Sequence, residues 1–121
     1  MPSLFEVTAG KAMGPTTGGT VTQATSKSTA VSLNAESGQI TMNNAQLDAG
    51  AEVTFQVNND RVTATDVPYV CHGSGGTNGS YLVNVVAVAA GSFQVTVANV
   101  SAGNLSQAIV LNFVLLKGAS S

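Results

Sequence analysis

Reactive side chains are almost missing from this chain. Its 121 residues include one cysteine, Cys71, one histidine, His72, and no tryptophan. Four cationic and six acidic side chains amount to 8% of the residues, where an ordinary soluble domain carries about a quarter. An enzyme site needs several polar groups converging on one pocket, so the expectation is a non-enzymatic protein that works by association. A lone cysteine excludes an internal disulfide and reads as a small buried hydrophobe. Neighbours on a strand point to opposite faces, so Cys71 and His72 cannot serve each other as nucleophile and base. The dispersed carboxylates Asp48, Glu52, Asp60 and Asp66 lack zinc-ligand spacing. A calcium loop near Asp60 or Asp66 lacks the alternating acidic pattern. No metal or cofactor is expected.

Other classes fall for want of a footprint. Lys11, Lys27, Arg61 and Lys117 are scattered, which leaves no basic patch for phosphate backbones and argues against a nucleic-acid partner. The longest apolar run, residues 108–116, is too short to span a bilayer and is broken by Asn112, so no membrane partner is expected. The N-terminal stretch has no charged region leading into an apolar one, as a secretion signal would. Assembly in a reducing cytoplasm follows as the expectation.

What is present is a β vocabulary: Val, Ile, Leu and Thr between Gly, Asn and Ser turn residues. The length suits one domain. Residues 1–19 read as an N-terminal arm, with an apolar patch at Leu4, Phe5 and Val7, a further apolar residue at Met13, and Gly and Pro interrupting any regular element. Two readings stand for it: its apolar residues pack on the body or on a neighbour, or it is a frayed terminus. Residues 20–121 read as a β-domain. Strands are expected at 20–25, 30–33, 39–42, 52–58, 66–72, 80–90, 92–100 and 108–117, with 30–33 pairing 39–42, 80–90 and 92–100 forming a hairpin, and a helical turn at 43–47. In 52–58, Val53, Phe55 and Val57 share one face. Pro68 marks 66–72 as an edge or bulged strand, with Val67, Tyr69 and Cys71 on one side. Residues 73–79 are rich in glycine; they lack the lysine and following helix of a phosphate loop and read as a mobile hairpin connection. About eight strands with regular turn signals predict an antiparallel β-sandwich or jelly roll.

Two late strands are apolar on both faces. Tyr81, Val83, Val85 and Ala87 oppose Leu82, Val86 and Val88; Ile109, Leu111, Phe113 and Leu115 oppose Val110, Val114 and Leu116. An antiparallel sheet usually shows water one face, so these are either central strands covered by the arm or a loop, or, the favoured reading, Val110, Val114, Leu116, Leu82 and Val86 are the seam of a homodimer or homotrimer. Asn78, Asn99 and Asn104 each begin a glycosylation pattern and read more simply as turn residues. Most of the aromatics, Phe5, Phe55, Tyr69, Tyr81, Phe93 and Phe113, occupy inward-looking positions, so stacking platforms for sugars or bases are scarce.

The stretches Val21-Thr22-Gln23-Ala24-Thr25-Ser26-Lys27-Ser28-Thr29, Gly38-Gln39-Ile40-Thr41-Met42, Ala64-Thr65-Asp66-Val67, Ala87-Val88-Ala89-Ala90-Gly91-Ser92-Phe93 and Ala108-Ile109-Val110-Leu111-Asn112-Phe113 carry a resemblance. Over residues 19–118 the chain is similar to a family of short virion structural proteins of tailed bacteriophages. The resemblance implies a capsid decoration (cement) protein, made in the bacterial host cytoplasm and located on the capsid exterior, with the major capsid protein and copies of itself as partners. In that role Leu4, Phe5, Val7 and Met13 of the arm reach over a capsid subunit, adding a strand or filling a groove. The motifs are turn and core positions, so they report fold rather than a site. The rival reading is a tail-fibre or baseplate module that binds host surface glycan.

Overall fold

The computed structural model describes residues 18–118, which form eight strands and no helix. The strands are β1 (Thr20–Thr22), β2 (Val31–Ser32), β3 (Ser37–Thr41), β4 (Glu52–Asn58), β5 (Val67–Ser74), β6 (Tyr81–Ala89), β7 (Ser92–Asn99) and β8 (Val110–Leu116). They build two four-stranded sheets, β1-β3-β8-β5 and β2-β4-β7-β6. The all-β expectation and the strand count hold. Residues 1–17 lie outside the described part, and with them most of the expected arm.

Strict alternation explains the core. Along β7, Phe93, Val95, Val97 and Asn99 are buried while Gln94, Thr96 and Ala98 are half-exposed. Along β8, Leu111, Phe113 and Leu115 are buried, and Ile109 just before the strand joins them. These two strands are the centres of their sheets. Their inward rows meet: the rings of Phe93 and Phe113 lie 6.0 Å apart across the sandwich-like interior. Ile40, Phe55, Val57 and Val70 complete the layer.

The sheets are mixed rather than antiparallel. β1 pairs β3 in parallel, and β2 pairs β4 in parallel; the other ladders are antiparallel. The cause is the path of the chain, which changes sheet at every connection from β1 to β6. Two successive crossings return it to its first sheet running the same way. For the same reason the expected pairing of 30–33 with 39–42 does not occur: β2 and β3 belong to different sheets. The glycine-rich stretch is likewise no hairpin connection, because β5 and β6 lie in different sheets. Gly75 and Gly76 both take positive φ, 75° and 70°, and pack against residues 107–109, where a Cβ on Gly76 would stand 2.7 Å from Ile109 Cγ2. The expected helical turn at 43–47 does not form; Leu47 forms an antiparallel bridge with Leu105 instead. Tertiary pairing there overrides local preference.

A buried polar knot holds the β1–β2 crossing. Gln23 donates to the carbonyls of Lys27 and Thr29 and accepts from the Asn43 amide. Lys27, 5% exposed, donates to the carbonyls of Asn43 and, at 2.7 Å, Gln107. Burial lowers the pKa of its ammonium. Lys27→Met keeps the stem and strands two carbonyls, so it is expected to destabilise the fold by about 2–3 kcal/mol. A urea midpoint equal to that of the native chain would show the knot to be ornamental.

Candidate functional site

The outer face of the β1-β3-β8-β5 sheet changes character across its width. On the β1–β3 side it shows Thr20, Thr22, Ser37, Gln39 and Thr41. On the β8–β5 side the register sets Val67 beside Leu116 and Tyr69 beside Val114. Val67 and Tyr69 are each 59% exposed and Leu116 is 50% exposed, while Val114 is half-buried. These four form a continuous uncharged strip, ended by Asn112, which accepts a hydrogen bond from Gln39 Nε2 at 3.0 Å and sits opposite Cys71. Contiguous exposed apolar surface of this kind marks interaction sites.

Round the edge of that strip lies a groove of about 430 Å³ between β5 and β6, lined by Asp66–Val70 and by Val83, Asn84, Val85 and Val88. β5 is an edge strand, as Pro68 required, and its register shifts between His72 and Ser74. β6 is the edge of the other sheet and carries its own shift between Val85 and Ala87. That bulge corrects the expected faces of β6. Beyond it the parity reverses, so Val88 turns inward with Tyr81, Val83 and Val85, and Ala87 turns outward. An extra residue in one strand does this to every side chain that follows.

The five expected seam residues therefore lie on two faces. Val110, Val114 and Leu116 are on the outer face of the first sheet; Leu82 and Val86, 57% and 53% exposed, are at the edge of the second. The groove separates the two sets. Elsewhere that second outer face carries Thr54 and Thr96, hydrogen-bonded across strands at 2.6 Å. The expected arm residues Leu4, Phe5, Val7 and Met13 lie outside the described part.

Asp66 pins the rim of the strip. Its side chain is 1% exposed. One oxygen accepts from the Thr63 hydroxyl and the Gly118 amide, the other from the Thr63 amide and from Lys117 Nζ at 2.6 Å. Burial alone raises its pKa; the Lys117 ammonium and the three remaining donors outweigh that and hold the carboxyl well below the usual carboxylate range. The clamp ties the entry of β5 to the exit of β8, which is where Val67 and Leu116 meet.

The other candidate groups are spent on structure. Cys71 and His72 do face opposite ways, paired with Asn112 and Leu111 respectively. His72 Nε2 donates to the Gly75 carbonyl at 2.6 Å and its ring meets Tyr81 edge-on at 5.4 Å. Tyr81 donates to Gln107, and burial raises its pKa. Asn99 is fully buried, and its amide donates to the carbonyls of Leu47 and Gly103, which makes it a turn organiser inaccessible to glycosylation in the folded state. Among the described residues no three His, Cys, Asp or Glu side chains gather closely enough to hold a metal ion.

Val67 and Tyr69 are the surface residues that sequence reasoning did not assign to a seam. Their alternation around Pro68 was visible, but an apolar outward row looks the same as an inward one until Val70 and Phe113 show which side is the core. Comparison with family models, curated proteins and solved structures returned no match to this chain.

Proposed function

We propose that this protein is a capsid decoration (cement) protein of a tailed bacteriophage: a non-enzymatic clamp that binds the outer surface of the major capsid protein shell and stabilises the head. The observation that carries the reading is the uncharged strip Val67–Leu116–Tyr69–Val114 on the outer face of its sheet. A cement protein needs apolar area and repetition; weak contacts repeated over a shell add through multivalency. A jelly-roll relationship, an extended arm over residues 1–19 and a homodimer or homotrimer seam using Val110, Val114, Leu116, Leu82 and Val86 belong to the same reading. The low charge of the surface supports it, since subunits packed side by side meet little repulsion.

One observation favours the tail-fibre or baseplate alternative: Tyr69 presents an exposed aromatic ring of the kind on which a sugar stacks. Purified particles separate the two. A cement protein is expected in many copies on heads lacking tails; a fibre module is expected in few copies that travel with tails. Within the first reading, Tyr69→Glu should alter stability by less than about 0.5 kcal/mol, because the side chain is at the surface, yet abolish binding to bare heads in a pelleting assay. Undiminished binding would remove the strip from the contact.

A further inference from the structure

We propose that Asn78 is a site of spontaneous succinimide chemistry, at which the folded chain converts its own side-chain amide into an aspartyl or isoaspartyl linkage. Of the asparagines in this chain, Asn78 alone precedes a glycine. The reaction needs the backbone nitrogen of the following residue to reach the asparagine Cγ, and a side chain on that residue stands in the way. Gly79 has none, and a Cβ built there would meet nothing within 4 Å. Asn78 is exposed, and neither its side chain nor the Gly79 amide has a hydrogen-bond partner among the described residues. Other asparagines are committed. Asn43, Asn59 and Asn99 donate to main-chain carbonyls, and Asn34 and Asn104 accept from main-chain amides.

The loop holds this dipeptide at its tip. Thr77 to Ser80 form a turn: the Ser80 amide donates to the Thr77 carbonyl at 3.3 Å, and Gly79, third in the turn, takes a φ of 81°, a conformation that selects glycine there. One side chain, Gln107, fastens both flanks. Its Oε1 accepts from the Thr77 amide at 3.0 Å and from the Tyr81 hydroxyl at 2.7 Å, and its Nε2 donates to Thr77 Oγ1 at 2.9 Å. Turning the Asn78 backbone into the attacking geometry therefore costs the one long bond from Ser80 to Thr77 and leaves both sheets standing. Gly79 N then bonds to Asn78 Cγ, and the side-chain nitrogen leaves as ammonia with the proton from the Gly79 amide. Water opens the ring at either carbonyl. Opening at Cγ restores the ordinary main chain beside a new carboxylate; opening at the main-chain carbonyl routes the backbone through an added methylene. Either product adds one negative charge to a formal net charge of −2. The tip lies beyond the Ser74–Val110 end of the β5–β8 ladder, away from the Val67–Leu116 end, so the inference is independent of the shell-binding reading.

The test follows the folded, full-length chain over time at neutral pH by isoelectric focusing and peptide mapping, with enzymatic methylation of isoaspartyl carboxyls as the specific probe. The expected result is an acidic species displaced by one charge, with the amide loss and the methyl label both mapped to position 78. Neither should form in Asn78→Gln, whose longer side chain closes a ring far less readily. Because the chemistry belongs to the tip of the native fold, a core change should not alter its rate. Ile40 is fully buried, and Ile40→Val raises the unfolded population about fivefold; the conversion rate should match that of the native chain. A rate about fivefold higher in that variant would place the reaction in the unfolded chain and overturn the inference. So would amide loss appearing first at another asparagine, or an intact position 78 after a free peptide of residues 74–82 had fully converted.

Discussion

Phe113→Ala is expected to destabilise the fold by about 3–5 kcal/mol, the range for truncating a well-packed aromatic residue. Phe113 is 4% exposed and sits in the central strand of its sheet. It touches both layers: its ring faces Phe93 of the opposite sheet, and it crowds Gly38 so closely that a Cβ there would stand 3.2 Å from its ring. The cavity left behind is bounded by two sheets whose strands are held in register, so it collapses only partly. Domains of this size have total stabilities of about 5–15 kcal/mol, and the variant should be largely unfolded on modest urea addition or warming. The contrast lies three residues along the same strand. Leu116 has the opposite parity and is half-exposed; Leu116→Glu should leave the urea midpoint nearly unchanged while altering association. If both substitutions lowered the midpoint equally, the assignment of β8's two faces would be wrong.

Asp66→Ala should be nearly as damaging, by about 2–4 kcal/mol, since it removes charge-assisted bonds and strands the amides of Thr63 and Gly118. Lys117 is half-exposed and can turn back to water, which keeps the loss below that of a fully buried ion pair. Local geometry offers no slack: a Cβ on Gly118 would lie 1.8 Å from the Thr65 carbonyl oxygen, so the chain approaches Asp66 there only as glycine. The effect depends on pH with a definite sign. The folded-state pKa of Asp66 is lowered from an ordinary value near 3.8, so the native state binds the proton less readily than the unfolded chain. The stabilisation is fully present above about pH 5 and is lost as pH falls below about 4, towards the lowered folded-state value. Urea titrations of the native chain and of Asp66→Ala should therefore differ most near neutrality and converge in acid. A gap that stayed constant from pH 7 to pH 2 would show that Asp66 acts through packing and not through its charge.

The composition and the two-residue period already determined much of this protein. An all-β chain of eight strands, the inward row Phe55 and Val57, the edge position of the Pro68 strand, the 80–90 and 92–100 hairpin and the opposed faces of Cys71 and His72 were all legible, because each depends on a local property: branching, alternation, a missing amide hydrogen. The tertiary structure decided the rest. Which sheet each strand joins was not readable at residues 30–33 and 39–42, because a turn sequence does not reveal whether the chain doubles back or crosses to the other layer. The face presented by Val88 was not readable, because a bulge at Val85–Ala87 reverses parity with no glycine or proline to announce it. Nor was the strip of Val67, Tyr69, Val114 and Leu116. Those side chains come from segments about fifty residues apart and become one surface only when β5 lies against β8, and an apolar row acquires its meaning, core or contact, from what stands on its other side.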